Sequence, residues 1–359
     1  MSIPEFRYMA WAKEHAVRPR FHLGRSGLMP PDPGLVDPGW SEARTALSEG
    51  TVAEQAGRVL ADRIGQERRR LLLTLGTSHG LYLVCRCLLR TGDLVLVEQP
   101  AYEVLAGLPQ LCGARVARFV RSAAEGYRLP RELPERIEAE RPRLVILSNP
   151  HNPTATFLSP EELEPAVRAL DAVGGRLLVD EVYLEFQPDP EQHTAARLGE
   201  AVVACSSLTK AHGLGALRFG WMVASADLCA DALRLNDYIA VNYPAPSAAV
   251  GLAALDRLDE LRERAVATCE SRRPIVERWV ASRPDVRWHP SEVGAMAWLE
   301  LGPVGDTASF VDGLLRRYDT LVVPGEFFEA PGWVRLGFGI PIPDLEEGLA
   351  RIGRALDDV

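Results

Sequence analysis

The sequence predicts an α/β protein: a mostly parallel sheet packed between helices, followed by a smaller α+β unit. Three observations carry this expectation. The chain has 359 residues, enough for about two domains. Six short apolar runs recur along it: Leu71–Leu75, Leu94–Glu98, Leu144–Leu147, Leu177–Val179, Val202–Cys205 and Phe219–Ala224. They lack the polar alternation of a half-solvated strand, as strands covered on both faces do. Helix-like segments lie between them, at about 78–90, 101–112, 160–173 and 227–240.

In chain order, residues 1–40 are rich in Pro and Gly and read as an extended N-terminal arm. From Ser41 to Gly65, Val52, Ala56, Val59 and Leu60 share a helical stripe. The strand–helix alternation then assigns residues 41–243 to the large domain. The pattern changes at Tyr243-Pro244-Ala245-Pro246. A long helical stretch follows at about 247–282, then short strands around 286–301, 320–323 and 333–338 and helices near 306–318 and 344–357. Residues 244–359 are therefore expected to form a small α+β domain that packs with the arm.

Composition narrows the function. The apolar fraction of 47% and charged fraction of 25% are those of an ordinary globular protein. A net charge of −9 disfavours nucleic acid as a partner. No apolar run is long enough to cross a membrane, and Met1–Arg20 lacks the apolar core of a signal peptide, so a cytoplasmic protein is expected. The six cysteines have no paired zinc-ligand spacing; reduced core thiols and no bound metal are expected. Of 40 lysines plus arginines, only Lys13 and Lys210 are lysine. Arginine is otherwise the cation of this chain, so a lysine at 210 invites a chemical reason.

In an open α/β sheet, ligands bind beyond the carboxyl ends of the strands. Five strand ends here deliver polar or aromatic groups: Gly76-Thr77-Ser78, Pro100-Ala101-Tyr102, Asn149-Pro150-His151-Asn152-Pro153, Asp180-Glu181-Val182-Tyr183 and Ser207-Leu208-Thr209-Lys210. Gly76 to Ser78 opens a helix, and free amides with short hydroxyls suit an anion. Lys210 is the sole formal charge between Ala201 and Leu217, His212 being neutral. Burial there lowers the pKa of an ammonium, and a neutral primary amine is what Schiff-base chemistry requires. Arginine stays protonated and cannot replace it. Glu181 follows Asp180 on a strand, so it points the other way and reads as structural.

These residues resemble a family. Asn149-Pro150-x-Asn152-Pro153, Asp180-x-x-Tyr183 and Ser207-x-x-Lys210 followed by Arg218 resemble the class I and II aminotransferases, pyridoxal-phosphate enzymes of fold type I in the aspartate aminotransferase superfamily. The resemblance spans about residues 40–355. It implies that Lys210 forms the Schiff base with pyridoxal 5'-phosphate and moves the substrate Cα proton. By the same resemblance Asp180 pairs with the pyridine nitrogen, Asn152 and Tyr183 hydrogen-bond the phenolic oxygen, and Tyr102 stacks on the ring. Gly76, Thr77, Ser78, Ser207 and Arg218 form the phosphate cup. Arg335, in Trp333-Val334-Arg335-Leu336-Gly337, resembles the arginine that grips the substrate α-carboxylate; Asn152 and Gly24 of the arm lie beside substrate in the family.

The implied activity is transfer of an amino group between an L-amino acid and a 2-oxo acid by a homodimer. The same residues also serve lyases, cyclases and decarboxylases of this fold, such as enzymes like capreomycidine synthase or aminocyclopropane-carboxylate synthase, and motifs do not separate these. Three departures stand out. No tyrosine lies near Thr45, where many relatives place one that reaches the partner's phosphate. Ala155 stands where the family motif continues with Gly. Tyr238–Tyr243 has no arginine where aspartate-specific members carry one, so the preferred side chain is expected not to be acidic.

Overall fold

The computed structural model describes residues 3–16, 19–39, 51–289 and 293–359. Thirteen strands are found in them: β1 (Phe21–His22), β2 (Leu71–Leu75), β3 (Leu94–Gln99), β4 (Arg115–Val120), β5 (Leu144–Ser148), β6 (Arg176–Asp180), β7 (Val202–Ser207), β8 (Phe219–Val223), β9 (Val286–Trp288), β10 (Met296–Leu301), β11 (Thr320–Leu321), β12 (Val323–Pro324) and β13 (Trp333–Gly337).

Seven of these strands form one sheet in the order β2-β8-β7-β6-β5-β3-β4. Only β8 runs opposite to the other six. The central strands are buried along their whole length, which is why they read as unbroken apolar runs. Helix Thr77–Leu88 starts directly after β2, helix Pro160–Val173 follows β5 after a loop, and the two cover opposite faces of the sheet. Each buried Leu or Val that they bring contributes about 1.5–3 kcal/mol. Pro160–Val173 begins with a capping box, Ser159 and Glu162, and stops at Gly174, which takes the left-handed conformation at φ 73°.

The second sheet, β12-β13-β10-β9, is antiparallel throughout. The helices Leu258–Ala281 and Ile342–Asp357 pack on its core. Strand β1 of the arm pairs in parallel with β11, aligning Phe21 with Thr320, and Leu23 and Leu28 are buried in the same cluster. Among the described residues no helix is long and apolar enough to cross a membrane.

The structure corrects several expectations. The arm is not wholly extended: Arg7–Glu14 is a helix. Strand β4 and the helix Leu133–Glu140 went unread. Strand β4 is an edge strand with two exposed ends, so its apolar residues do not form a continuous run. The expected 247–282 helix is two, Ala245–Asp256 and Leu258–Ala281, broken at Arg257, while Pro274 sits inside the second. Among the described residues of the Ser41–Gly65 stretch, Val52–Arg63 is helical, as expected. Thr45, near which the partner-reaching tyrosine is absent, lies outside the described residues.

Candidate active site

The carboxyl ends of the parallel strands open onto a cavity of about 210 Å³. Because β8 runs the other way, its first residues lie at the same edge, and Arg218 just before it joins the group. Thr77, Ser78, Ser207 and Arg218 line one end of the cavity, while Tyr102, Asn152, Asp180 and Tyr183 line the middle with Lys210. Arg335 reaches in from β13.

The first end is an anion site by construction. Helix Thr77–Leu88 points its free amides into it, and its cap, Gly76, has φ 78°. With ψ 172° this backbone conformation is essentially reserved for glycine, and a Cβ there would also stand 2.2 Å from Arg218 Nη2. Arg218 donates from Nη2 to the Leu75 carbonyl at 2.9 Å and from Nη1 to that of Gly215 at 3.0 Å. Thr77 Oγ1 donates to Ser207 Oγ at 3.0 Å, and Ser207 Oγ to Thr209 Oγ1 at 2.9 Å.

Lys210 Nζ donates to Ser26 Oγ at 2.8 Å. Burial, with the charges of Arg335 and Arg218, pulls this amine down to about 8 against the opposite pull of Asp180. Asp180 is pushed up to about 6, chiefly by burial, while the Val182 amide donates to its Oδ1 at 3.0 Å. A cationic ring nitrogen beside it would restore the ionised form. Burial also raises the phenols of Tyr102 and Tyr183. Glu181 faces away from the cavity: it accepts from Thr194 Oγ1 at 2.7 Å and from the Ala195 amide at 2.6 Å.

Arg335 is 1% exposed. Its Nη1 donates to Asn152 Oδ1 at 2.9 Å, and its Nη2 to Tyr8 Oη at 2.8 Å and the Gly24 carbonyl at 3.3 Å. Its Nε is buried without a partner. A charged fork left partly unpaired is costly unless an anion completes it. Asn152 is fixed from behind: its amide donates to Ser148 Oγ at 3.0 Å, and Ser148 Oγ donates to Glu98 at 2.6 Å. Glu98 in turn pairs with Arg121 at 2.7 Å, both side chains fully buried. Removing one partner of such a pair costs about 3–5 kcal/mol. The Asn152 loop also needs a left-handed residue: Ala155 holds φ 59° where the family pattern has Gly.

The donor set suits a phosphorylated, cationic-ring aldehyde: hydroxyls, helix amides and Arg218 for a phosphate, Asp180 for a protonated nitrogen, and a depressed amine for the carbonyl carbon. Ten of the twelve residues that the sequence singled out line this cavity. The other two stand behind it, Gly76 as the helix cap and Gly24 as an acceptor for Arg335. Sequence reasoning missed Tyr8, Met9 and Ala12 of the arm helix and Ser26 and Thr209. Tyr8, Trp11 and Ala12 have helical spacing, a signal available in the sequence. Nothing local marks Ser26 as the partner of a residue 184 positions away.

Comparison with known proteins places the chain. The aminotransferase class I and II family model matches residues 43–352, and the chain belongs to that family. Its members are pyridoxal-phosphate enzymes. A pyridoxal-phosphate-dependent aminotransferase of Streptococcus suis superposes with a TM-score of 0.90 at 24% identity, covering 100% of this chain and 99% of that one, so the fold is fold type I. Capreomycidine synthase of Streptomyces vinaceus is 31% identical over 291 residues, 80% of this chain and 74% of that protein. The arginine–pyruvate transaminase of Pseudomonas aeruginosa is 30% identical over 317 residues, 82% of this chain and 79% of that protein.

Proposed function

We propose that this protein is an aminotransferase that moves the amino group of an L-amino acid with an uncharged side chain to a 2-oxo acid. The observation that carries the reading is the placement of the Lys210 amine, Asp180 and the Arg335 fork in one cavity. Pyridoxal phosphate, bound there, supplies an electron-poor ring that accepts the electron pair left when the Cα proton is removed. Lys210 holds the cofactor through its amine and, once freed, carries the proton from Cα. Asp180 keeps a proton on the ring nitrogen. Asn152 and Tyr183 hydrogen-bond the phenolic oxygen, and Tyr102 covers the ring face. Thr77, Ser78, Ser207 and Arg218 hold the phosphate. Arg335 grips the substrate α-carboxylate and so fixes which Cα bond faces Lys210.

The side-chain preference rests on charge. Among the described lining residues the charged groups are Lys210, Arg218, Arg335 and Asp180. All four are engaged by cofactor or α-carboxylate, which leaves none for a charged substrate side chain. Tyr8, Met9 and Ala12 line the remaining wall. Exposed Tyr238, Ile239 and Val241 support the expectation of a homodimer.

A second reading, a cyclase or lyase, is favoured by the 31% identity to capreomycidine synthase. The test feeds the holoenzyme ¹⁵N-labelled uncharged amino acids with and without pyruvate or 2-oxoglutarate. Transamination yields labelled alanine or glutamate together with the donor's oxo acid, and without an acceptor no more than about one oxo acid per active site. Donor consumption over many turnovers without an acceptor overturns it in favour of the second reading.

A further inference from the structure

Helix Arg7–Glu14 lines the cavity through Tyr8, Met9 and Ala12, yet by its own sequence it should hardly form. Eight residues are too few for a stable isolated helix. It has no side-chain cap and no acidic residue in its first turn. Both are supplied from elsewhere: Glu103 accepts from the Arg7 amide at 3.1 Å and the Tyr8 amide at 2.7 Å. Glu103 is the chain neighbour of Tyr102, and Phe6 and Tyr8 pack on the Tyr102 ring with centroids 5.6 and 5.5 Å away. On the opposite side, Tyr8 and Trp11 meet Phe327 at 5.6 and 5.3 Å. The helix therefore bridges the two sheets, and its position sets where the Tyr8 hydroxyl stands.

That hydroxyl accepts from Arg335 Nη2 at 2.8 Å. An oxygen that accepts from a guanidinium keeps its own hydrogen to give, and no acceptor for it is found among the described residues. Arg335 Nε beside it is also buried and unpaired. The Tyr8 hydrogen and the charge of Arg335 thus stand together at the cavity wall, a pairing that suits an anion.

We propose that Tyr8 is a second donor to the substrate carboxylate and a determinant of substrate specificity, and that Glu103 is the positioning residue that holds it over Arg335. This rests on the reading of Arg335 as the carboxylate site. Tyr8 lines the cavity together with Met9 and Ala12 of the same helix.

The experiment titrates holoenzyme with acetate, propionate and butyrate, read by the shift in absorption of the bound pyridoxal phosphate, so no turnover is needed. Tyr8→Phe keeps the ring packing and removes the oxygen; it should weaken carboxylate binding about tenfold. Glu103→Gln keeps the volume and removes the charge at the helix start; it should weaken binding about threefold. In turnover, both variants should raise KM for the amino acid more than they lower kcat. Arg335→Lys separates the two readings. If it loses carboxylate binding while Tyr8→Phe and Glu103→Gln stay within twofold of wild type, this inference alone is overturned. If all three bind as wild type does, the carboxylate site itself is wrong.

Discussion

The wall of the cavity that faces the large sheet and the wall that carries Arg335 hold their residues in different ways. On the first, Asp180 ends β6, Ser207 ends β7, and Thr77 and Lys210 follow within three residues of a strand. Ladder pairing fixes them: Ser148 lies opposite Asp180, and Asp180 opposite Cys205. On the second, Arg335 is held by Asn152, Tyr8 and Gly24, which lie 183, 327 and 311 residues away in the chain. On the first wall the strand ends set the side chains; on the second, β13 fixes the Arg335 backbone between β10 and β12, but its guanidinium is aimed by long-range contacts that can be lost one at a time. The comparison teaches that damage to the first should strike the chemistry, and damage to the second the grip on substrate.

The largest expected effect lies on the sheet wall. Lys210→Ala removes both the amine that captures the cofactor and the group that moves the proton. Turnover should fall by at least about 10⁴-fold, measured as acceptor amination. A loss below tenfold would break the comparison. Arg335→Lys probes the other wall: it keeps the charge and loses the fork. An increase in amino-acid KM of about 30-fold, equivalent to ~2 kcal/mol, is expected, with a smaller fall in kcat. A kcat collapse with KM unchanged would show that both walls serve the chemistry.

The smallest effect comes from pH. The free amine of Lys210 is held at about 8 instead of 10.5. Only its neutral form attacks an aldehyde, so capture of pyridoxal phosphate by the apoenzyme should speed up as pH rises, by about tenfold from pH 7 to 9. Stopped-flow absorbance checks this; a flat profile would show that the amine is not depressed. Between about 8 and 10.5 the unfolded chain keeps a proton that the folded amine has released. This group's contribution therefore makes the apoprotein more stable as pH rises across that window.

The neighbouring carboxylates Asp180 and Glu181 show how local rules carried so far. Strand alternation alone aimed one into the cavity and the other behind it, where Thr194 and the Ala195 amide hold it. Burial raises both, to about 6 and about 7. A shifted pKa by itself therefore does not tell the cavity residue from the structural one; direction along the strand does.

By itself the sequence determined the buried strands, the polar groups at their ends and the lysine whose task arginine cannot perform. These are local matters of period, burial and side-chain chemistry, each decided within a few residues of chain. Tertiary structure alone decided the rest. It made a helix of the Arg7–Glu14 arm because Glu103 caps it, set Ser26 on Lys210, and recruited an exposed edge strand, β4, by pairing it with β3. Contacts between segments distant in the chain leave no spacing to read, because they depend on which surfaces the fold brings together. The lysine at 210 was legible; the arm helix that lines its cavity was not.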